Sequence, residues 1–200
     1  AFELTGSGAP NGGVLFPAGG GLNRDLLFRQ LEAFGQAADC NGAPHIERTA
    51  DGWRVADASG VVALTDCLII AAGPLSQSLL PAIAPFTNRV RGQIDFVSPA
   101  REKATMTFGS YLTPGFRSAD GNRVSALGAT FDREAGYHDG PASLSKRESA
   151  DNFRQLAERL PVSGALSPTG GGWAGWRLTT RDRMPFCGAL GDGCWVLTGL

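Results

Sequence analysis

Glycine occupies 28 of the 200 positions of this chain, about twice its usual share of roughly 7%. Glycine weakens helix interiors but permits tight turns and close backbone approaches, so this abundance favours a strand-rich domain over a helical bundle. Hydrophobic residues make up 42% of the chain. That share excludes general disorder, because disordered chains combine low hydrophobicity with high net charge. The length fits one domain and also allows two small ones.

The charge and cysteine content narrow the classes of partner. A net charge of −1 argues against a dominant electrostatic grip on nucleic acid or anionic membrane, although it allows a locally basic rim. No apolar run reaches the roughly 18 residues of a membrane span, so we expect no membrane partner. The four cysteines include no CxxC pair and there are only two histidines. We therefore expect no metal site, and reduced thiols in a cytoplasmic protein.

Two helices are predicted. The first follows Asn23 and ends near Gly35, since Leu27, Leu31 and Phe34 recur at helical spacing. The second begins at a capping-box pattern, in which Ser145 precedes Glu148 by three residues, and it ends before a proline.

Strand patterns dominate the rest of the chain. Residues 53–64 read as a hairpin. The unbroken apolar run Cys67–Ala72 predicts a strand buried on both faces. Three further segments are short and separated by glycine or proline, which favours one largely antiparallel sheet; they are Val90–Val97, Thr105–Thr113 and Val124–Phe131.

The familiar glycine-rich and catalytic motifs are absent from the sequence. The stretches Gly6–Asn11 and Gly19–Arg24 both fail the dinucleotide pattern GxGxxG at its last position. The sequence contains no GxSxG, HExxH or P-loop pattern. Hydrolytic and zinc chemistry are therefore poorly supported.

The segment Trp173–Gly188 is dense in special residues, and Arg177 lies in it between bulky apolar neighbours. An arginine in such a place needs a partner, because an unpaired buried charge is costly. That partner is either a carboxylate of the domain itself or a ligand.

This segment, with its Arg177, Asp182, Pro185 and Gly188, resembles the C-terminal signature of the FAD-dependent amine oxidases of the D-amino-acid oxidase and glycine/sarcosine oxidase type. Other family-like segments follow in the family's order across almost the whole chain. They are GGVLFPAGGGLN (residues 12–23), Cys67–Gly73, Val90–Gln93, Tyr111–Pro114 and Leu127–Thr130. Within the family, the likeness is greatest to the oxidoreductase half of the bifunctional enzymes that modify the wobble uridine of tRNA.

The resemblance implies an α+β fold derived from an α/β parent: a strand-rich, largely antiparallel substrate domain plus a remnant of the FAD-binding domain. Residues 1–88 would hold partial cofactor-domain elements, 89–170 the substrate sheet and 171–200 a return to the flavin-proximal region, treated as one compact unit. The family's GxGxxG segment is expected upstream of Ala1. We therefore expect FAD in the intact parent, and none or only traces in the isolated chain, which should be inactive.

The resemblance also implies roles for particular residues. Arg177 would bind the substrate carboxylate, and Tyr111 would donate a hydrogen bond or cover the same pocket. No catalytic acid or base is assigned, because hydride passes from a neutral amine to the flavin. The cofactor-binding residues would be Ala72, Gly73, Gly92, Pro185 and Gly188.

The substrate stays open between a small free amine, such as glycine, sarcosine or proline, and the carboxymethylaminomethyl group of modified tRNA. A non-catalytic recognition module is the alternative for the chain by itself. Two basic clusters would suit RNA phosphates or would be ordinary solvated surface; they are Arg89/Arg91/Arg101/Lys103 and Arg177/Arg181/Arg183.

Overall fold

The computed structural model describes residues 13–19, 24–35, 38–100, 103–160 and 166–199. Its helices are α1 (Arg24–Glu32), α2 (Ser76–Leu79) and α3 (Lys146–Arg159), with 3-10 turns at Gly73–Leu75 and Pro81–Phe86. Its strands are β1 (His45–Thr49), β2 (Gly52–Asp57), β3 (Gly60–Thr65), β4 (Leu68–Ile70), β5 (Thr87–Ser98), β6 (Met106–Thr107), β7 (Tyr111–Leu112), β8 (Phe116–Arg117), β9 (Arg123–Gly128), β10 (Ser167–Thr180), β11 (Phe186–Gly191) and β12 (Cys194–Thr198).

The chain divides into two compact units. Unit 1 contains Ala1–Leu22 and Arg91–Gly175, and unit 2 contains Asn23–Val90 and Trp176–Leu200. Strands β5 and β10 each begin in one unit and end in the other.

The main sheet of unit 1 has the order β10-β5-β9-β7-β6, and β8 pairs with β9 outside that path. The β5–β9, β9–β7, β7–β6 and β8–β9 pairs are all antiparallel. Short hairpin connections favour this arrangement, because a parallel pair needs a long crossover. The predicted strand-rich, largely antiparallel sheet is thereby confirmed.

Helix α3 packs on one face of this sheet. The buried cluster joins Val97 of β5, Leu112 of β7 and Leu127 of β9 to Leu156 and to Leu160, which follows the helix. Because side chains alternate across a strand, only every second residue of β5 belongs to this face. Burial of each apolar side chain in this cluster contributes roughly 1.5–3 kcal/mol of transfer free energy.

Unit 2 contains two three-stranded sheets. Strands β1, β2 and β3 form an antiparallel meander, which includes the hairpin predicted at residues 53–64. In the second sheet, β11 runs antiparallel to β12, and β12 runs parallel to β4. The register partners Ile70 and Val196 are both buried, so they form part of the core of this unit.

The prediction that Cys67–Ala72 is buried on both faces is wrong. Only Leu68–Ile70 is strand, and Ile69 is 63% exposed whereas Ile70 is 4% exposed. Ile69 shares its face with its register partner Trp195, which is also exposed. The described residues therefore cover one face of this sheet and leave the other open.

The predicted capping box is also wrong, although the helix itself is confirmed. Ser145 is the N-cap of α3, but its side chain makes no capping hydrogen bond. Glu148 is buried and forms an ion pair with Arg91 of β5. A buried tertiary partner thus replaces the local bond that the sequence pattern indicated.

Candidate functional site

The carboxyl ends of β4 and β12 form one edge of the second sheet of unit 2. Ile70, the last residue of β4, is the register partner of Val196, and Thr198, the last residue of β12, is the register partner of Phe186, the first residue of β11. Ala72 and Gly73, which follow β4, and Pro185, which precedes β11, consequently lie at this edge, named here the β4–β12 edge. Ligands of open α/β sheets bind outside the carboxyl ends of the strands.

The turn after β4 is held by local hydrogen bonds. The backbone N–H of Ala72 donates to Oγ of Ser76, 3.1 Å away, and Ser76 is fully buried. Gly73 has a φ of +53°, in the left-handed region that glycine adopts at no steric cost. A Cβ built on Gly73 would meet nothing within 4 Å. The backbone at Gly73 therefore borders open space.

Thr198 lies at the same edge. Its side chain is buried, with 4% exposure, and its hydroxyl has no hydrogen-bond partner among the residues that the structure describes. Buried polar groups almost always have a partner, so an unpartnered one calls for an explanation. A bound polar group at this edge would provide one.

The loop from β10 to β11 carries Pro185 and is fixed at both ends. Oγ1 of Thr180 donates to the carbonyl of Met184, 2.7 Å away, and the N–H of Met184 donates to the carboxylate of Asp182. This backbone hydrogen bond from Met184 is the main cause that lowers the pKa of Asp182. The N–H of Arg181 donates to the carbonyl of Phe86. Pro185 thus lies at the end of an ordered loop.

Gly188 lies just inside that edge, in the same row as Ile70, the last residue of β4. It is in β11 and is level with Val196, and a Cβ built on it would meet nothing within 4 Å. The structure therefore brings Ala72, Gly73 and Pro185 to one edge, and it places Gly188 just inside that edge on the same sheet.

In unit 1, the side of β5 that faces α3 carries polar residues at positions 91, 93 and 95. Nε2 of Gln93 donates to the carbonyl of Ser145 and to Oγ of Ser149, and the carboxylate of Asp95 accepts from Ser149 and from Asn152. Gln93, Asp95 and Asn152 are buried. We name this set, with Arg91 and Glu148, the β5–α3 network. It was not predicted from the sequence, because no local pattern links residues that lie 52 to 57 positions apart.

The opposite face of the same sheet carries Tyr111. Tyr111 and Ile94 are both register partners of Gly128, and such partners point to the same side of a sheet. Gly92 is two residues before Ile94 on β5 and is buried, so it lies on this face too. Two of the residues predicted from the sequence, Gly92 and Tyr111, therefore share the face of unit 1 that points away from α3.

Strand β10 presents an exposed tryptophan. A Cβ on Gly175 would overlap the indole ring of Trp173, and Trp173 is 55% exposed. Only glycine at position 175 lets this ring lie against the strand. Arg177 follows Gly175 by two residues, so alternation points it to the same side of β10. It is partly buried and belongs to unit 2.

The structure describes two arginines of the first predicted basic cluster, Arg89 and Arg91. The guanidinium of each donates hydrogen bonds within the protein. Nε of Arg89 donates to the carbonyl of Pro74, and its Nη2 donates to Oγ of Ser78. Arg91 is paired with Glu148. The expected basic rim is therefore wrong for Arg91, and for Arg89 it stays a prediction. Lys103 is exposed, and Arg101 lies outside the described residues.

The described residues show neither a membrane span nor a metal centre. No helix among them is long and apolar enough to cross a membrane. In the same part of the chain, no three histidine, cysteine, aspartate or glutamate side chains group in a way that could hold a metal ion.

Known proteins match this chain in sequence. It is 31% identical over 216 residues to the tRNA 5-methylaminomethyl-2-thiouridine biosynthesis bifunctional protein MnmC of Cupriavidus metallidurans, covering 99% of this chain and 31% of that protein. It is 37% identical over 158 residues to the MnmC protein of Caulobacter vibrioides, covering 77% of this chain and 24% of that protein. The chain thus spans less than a third of the length of these relatives.

Solved structures match the fold. Iminodiacetate oxidase from Chelativorans sp. BNC1 superposes with a TM-score of 0.55 at 16% identity, over 78% of this chain and 43% of that one. Glycine oxidase from Geobacillus kaustophilus gives a TM-score of 0.53 at 19% identity, over 78% of this chain and 41% of that one.

The family model described as FAD dependent oxidoreductase (DAO) matches residues 3–200, almost the whole chain. With the strand-rich sheet, the β4–β12 edge and the Arg177 segment in place, this match shows that the chain belongs to the DAO family of FAD-dependent oxidoreductases.

Proposed function

We propose that this protein oxidises the C–N bond of an amine, and that its substrate is the carboxymethylaminomethyl side chain of the wobble uridine in tRNA. The observation that carries the choice of substrate is the match of most of this chain to relatives named for tRNA 5-methylaminomethyl-2-thiouridine biosynthesis. A tRNA substrate also agrees with a cytoplasmic protein whose four cysteines are all free.

The residues at the β4–β12 edge fit a bound cofactor. Open space borders Gly73, and the buried hydroxyl of Thr198 is unpartnered among the described residues. We assign FAD binding to Ala72, Gly73 and Pro185, with Gly188 on the same sheet and Gly92 in unit 1. FAD, when bound, accepts a hydride from the carbon next to the amine nitrogen. The protein supplies binding, orientation and electrostatics around that chemistry.

Arg177 and Tyr111 are proposed to hold the substrate. A guanidinium takes a carboxylate through two parallel hydrogen bonds, which fix the orientation of a small molecule as well as its position. The glycine-like end of the carboxymethylaminomethyl group carries such a carboxylate. The Tyr111 hydroxyl would add a hydrogen bond or cover the bound group. We assign no acid or base, because a neutral amine needs no proton removed before hydride transfer.

A free amino acid of the glycine or sarcosine type is the second candidate substrate. The structural likeness to glycine oxidase favours it, but at 19% identity that likeness concerns the fold alone. For the isolated 200-residue chain, we propose little or no bound flavin and no turnover, because neither glycine-rich stretch completes the GxGxxG pattern.

The test uses the intact protein, purified and examined for flavin absorbance. The flavin is then mixed without oxygen with tRNA bearing the carboxymethylaminomethyl group, with unmodified tRNA, and with sarcosine or glycine. Bleaching by the modified tRNA alone supports the proposal. Bleaching by the free amino acids alone replaces it with the second candidate, and a protein without flavin contradicts both.

A further inference from the structure

The hairpin of β8 and β9 places two arginines directly opposite each other. Phe116 pairs with Val124, and Arg117 pairs with Arg123. Directly opposite residues have Cβ atoms roughly 4.5–5.5 Å apart, and like charges in such a pair destabilise the sheet. Both arginines are exposed. The register of this hairpin therefore places two like charges opposite each other on an exposed strand pair.

Among the described residues, no carboxylate forms an ion pair with Arg117 or Arg123. Nη1 of Arg117 donates to the carbonyl of Gly121, 3.2 Å away, which is a neutral partner. The nearest acid in sequence is Asp120, in the turn between the two strands. Its oxygens accept from the hydroxyl of Ser118 and from the side-chain amide of Asn122. These bonds, with Ser118 first, lower the pKa of Asp120, so it stays charged but is occupied within the turn.

The position of the pair is fixed by the packing around it. The ring of Phe116 meets that of Phe96 edge to face, with centroids 5.5 Å apart, which ties the hairpin to β5. The guanidinium of Arg123 lies against Gly115, where a Cβ would stand 2.8 Å from Nε. Only glycine at 115 leaves room for this placement. The two arginines are thus level with each other on an exposed strand pair, and their guanidiniums lie on either side of that level, at Gly121 in the turn and at Gly115.

We propose that Arg117 and Arg123 bind neighbouring phosphates of an RNA backbone, so that the β8–β9 hairpin belongs to the surface that receives tRNA. Each guanidinium can bind a phosphate through two parallel hydrogen bonds, and the bound anions offset the two like charges. The inference rests on the proposed tRNA substrate and adds the place where the RNA is held.

The experiment measures binding of a fluorescein-labelled anticodon stem-loop RNA to the intact protein by anisotropy, across a series of salt concentrations. The double variant Arg117→Gln/Arg123→Gln should weaken binding about ten-fold or more at roughly 0.1 M salt, because hydrogen bonds to a charged phosphate are among the stronger ones. The slope of log K against log salt should become shallower by about 0.7–0.9 for each phosphate that the variant no longer neutralises.

The matched control is Arg154→Gln/Arg159→Gln on α3, which removes the same charge from the same unit. It should leave both affinity and slope nearly unchanged. The variant Arg117→Lys/Arg123→Lys should keep the salt slope and lose part of the affinity. The glutamine variant should melt no lower than the wild type, because it removes a like-charge pair.

The outcomes separate this inference from the function on which it rests. Tight RNA binding by the wild type and equally tight binding by the glutamine variant overturn the phosphate site and leave the tRNA substrate standing. Equal weakening in both double variants also overturns it, since the effect is then one of net charge. Failure of the wild type to bind RNA overturns the inference and the tRNA substrate together. Loss of binding to phosphatidylserine vesicles with unchanged RNA affinity would assign the pair to a membrane instead.

Discussion

Arg91 of β5 and Glu148 of α3 form a buried ion pair, in which Nη2 lies 2.7 Å from Oε2 and the two side chains are 12% and 3% exposed. Each partner is satisfied further. Nη2 of Arg91 also donates to the carbonyl of Ser143, and Oε1 of Glu148 accepts from the hydroxyl of Thr130. The pair therefore joins β5, the first turn of α3 and the segment that follows β9.

Removing one partner of this pair should be costly. We expect Glu148→Ala to lower the free energy of unfolding by about 3–5 kcal/mol, because it leaves the Arg91 guanidinium buried without a counter-charge. Urea denaturation followed by circular dichroism measures the change. Glu158→Ala is the control, since Glu158 pairs with Arg154 on the exposed side of the same helix and should cost about 0.5 kcal/mol or less. Equal losses in both variants would contradict the structural role of the buried pair.

Gly128 is expected to tolerate no side chain. A Cβ there would stand 2.7 Å from Cγ2 of Ile94 and 3.0 Å from the carbonyl oxygen of Gln93, so Gly128→Ala should cost about 1–3 kcal/mol through overpacking. Thermal melting compares it with Gly136→Ala, where a Cβ would meet nothing within 4 Å. A melting temperature unchanged in both variants would show that β5 and β9 are less closely apposed than described.

Substitution at Gly188 should separate flavin retention from folding. A Cβ at this position has open space, so Gly188→Val should leave the melting temperature of the flavin-free protein nearly unchanged. If Gly188 lies against FAD, as we propose, the same variant should lower the ratio of flavin absorbance to protein in the purified intact enzyme. Gly136→Val is the control for a non-specific effect. Full flavin content in the Gly188 variant would remove this residue from the proposed site.

Arg177 should affect substrate binding more than stability. In the intact enzyme, we expect Arg177→Ala to cost about 2–5 kcal/mol of substrate binding, the range for removing one partner of a desolvated charge pair. Arg177→Lys should recover only part, because an ammonium lacks the planar fork. Exposed Arg181 is the control, and Arg181→Ala should cost about 1 kcal/mol or less. Steady-state kinetics give KM, and thermal melting gives stability. A sharply lowered Tm with an unchanged KM would assign Arg177 to bracing the sheet instead.

The sequence predicts most of the antiparallel sheet, because glycine or proline separates its short strand-like segments. Strand β5 extends beyond its predicted bounds, from Thr87 to Ser98. The sequence cannot predict the β5–α3 network in the same way. Arg91 and Glu148 are 57 positions apart, and the local pattern around Glu148 indicates a capping box. The tertiary partner prevails because burial makes the ion pair obligatory once the helix packs on the sheet.

Without the family resemblance, the sequence indicates only one feature of the candidate site, namely that Arg177 needs a partner. Ala72, Gly73 and Pro185 are named through family resemblance, and they share an edge only because β12 runs parallel to β4. That pairing joins strands far apart along the chain, and no local periodicity encodes it. The unpartnered hydroxyl of Thr198 gives no signal in the sequence, since a threonine in a strand is ordinary.

Strand β5 has consequences for how proteins of this kind can diverge. Its odd-numbered residues from 91 to 97 hold α3, whereas Gly92 and Ile94 face the side that carries Tyr111. Neighbouring positions of β5 are therefore under different constraints: the odd ones must pack against α3, and the even ones face the proposed substrate side. A lineage can exchange even-side residues other than Gly92, which we assign to FAD binding, to accommodate a new substrate while the odd side keeps the scaffold intact. Natural variation along β5 should accordingly show a two-residue rhythm, with invariant and permissive positions in alternation.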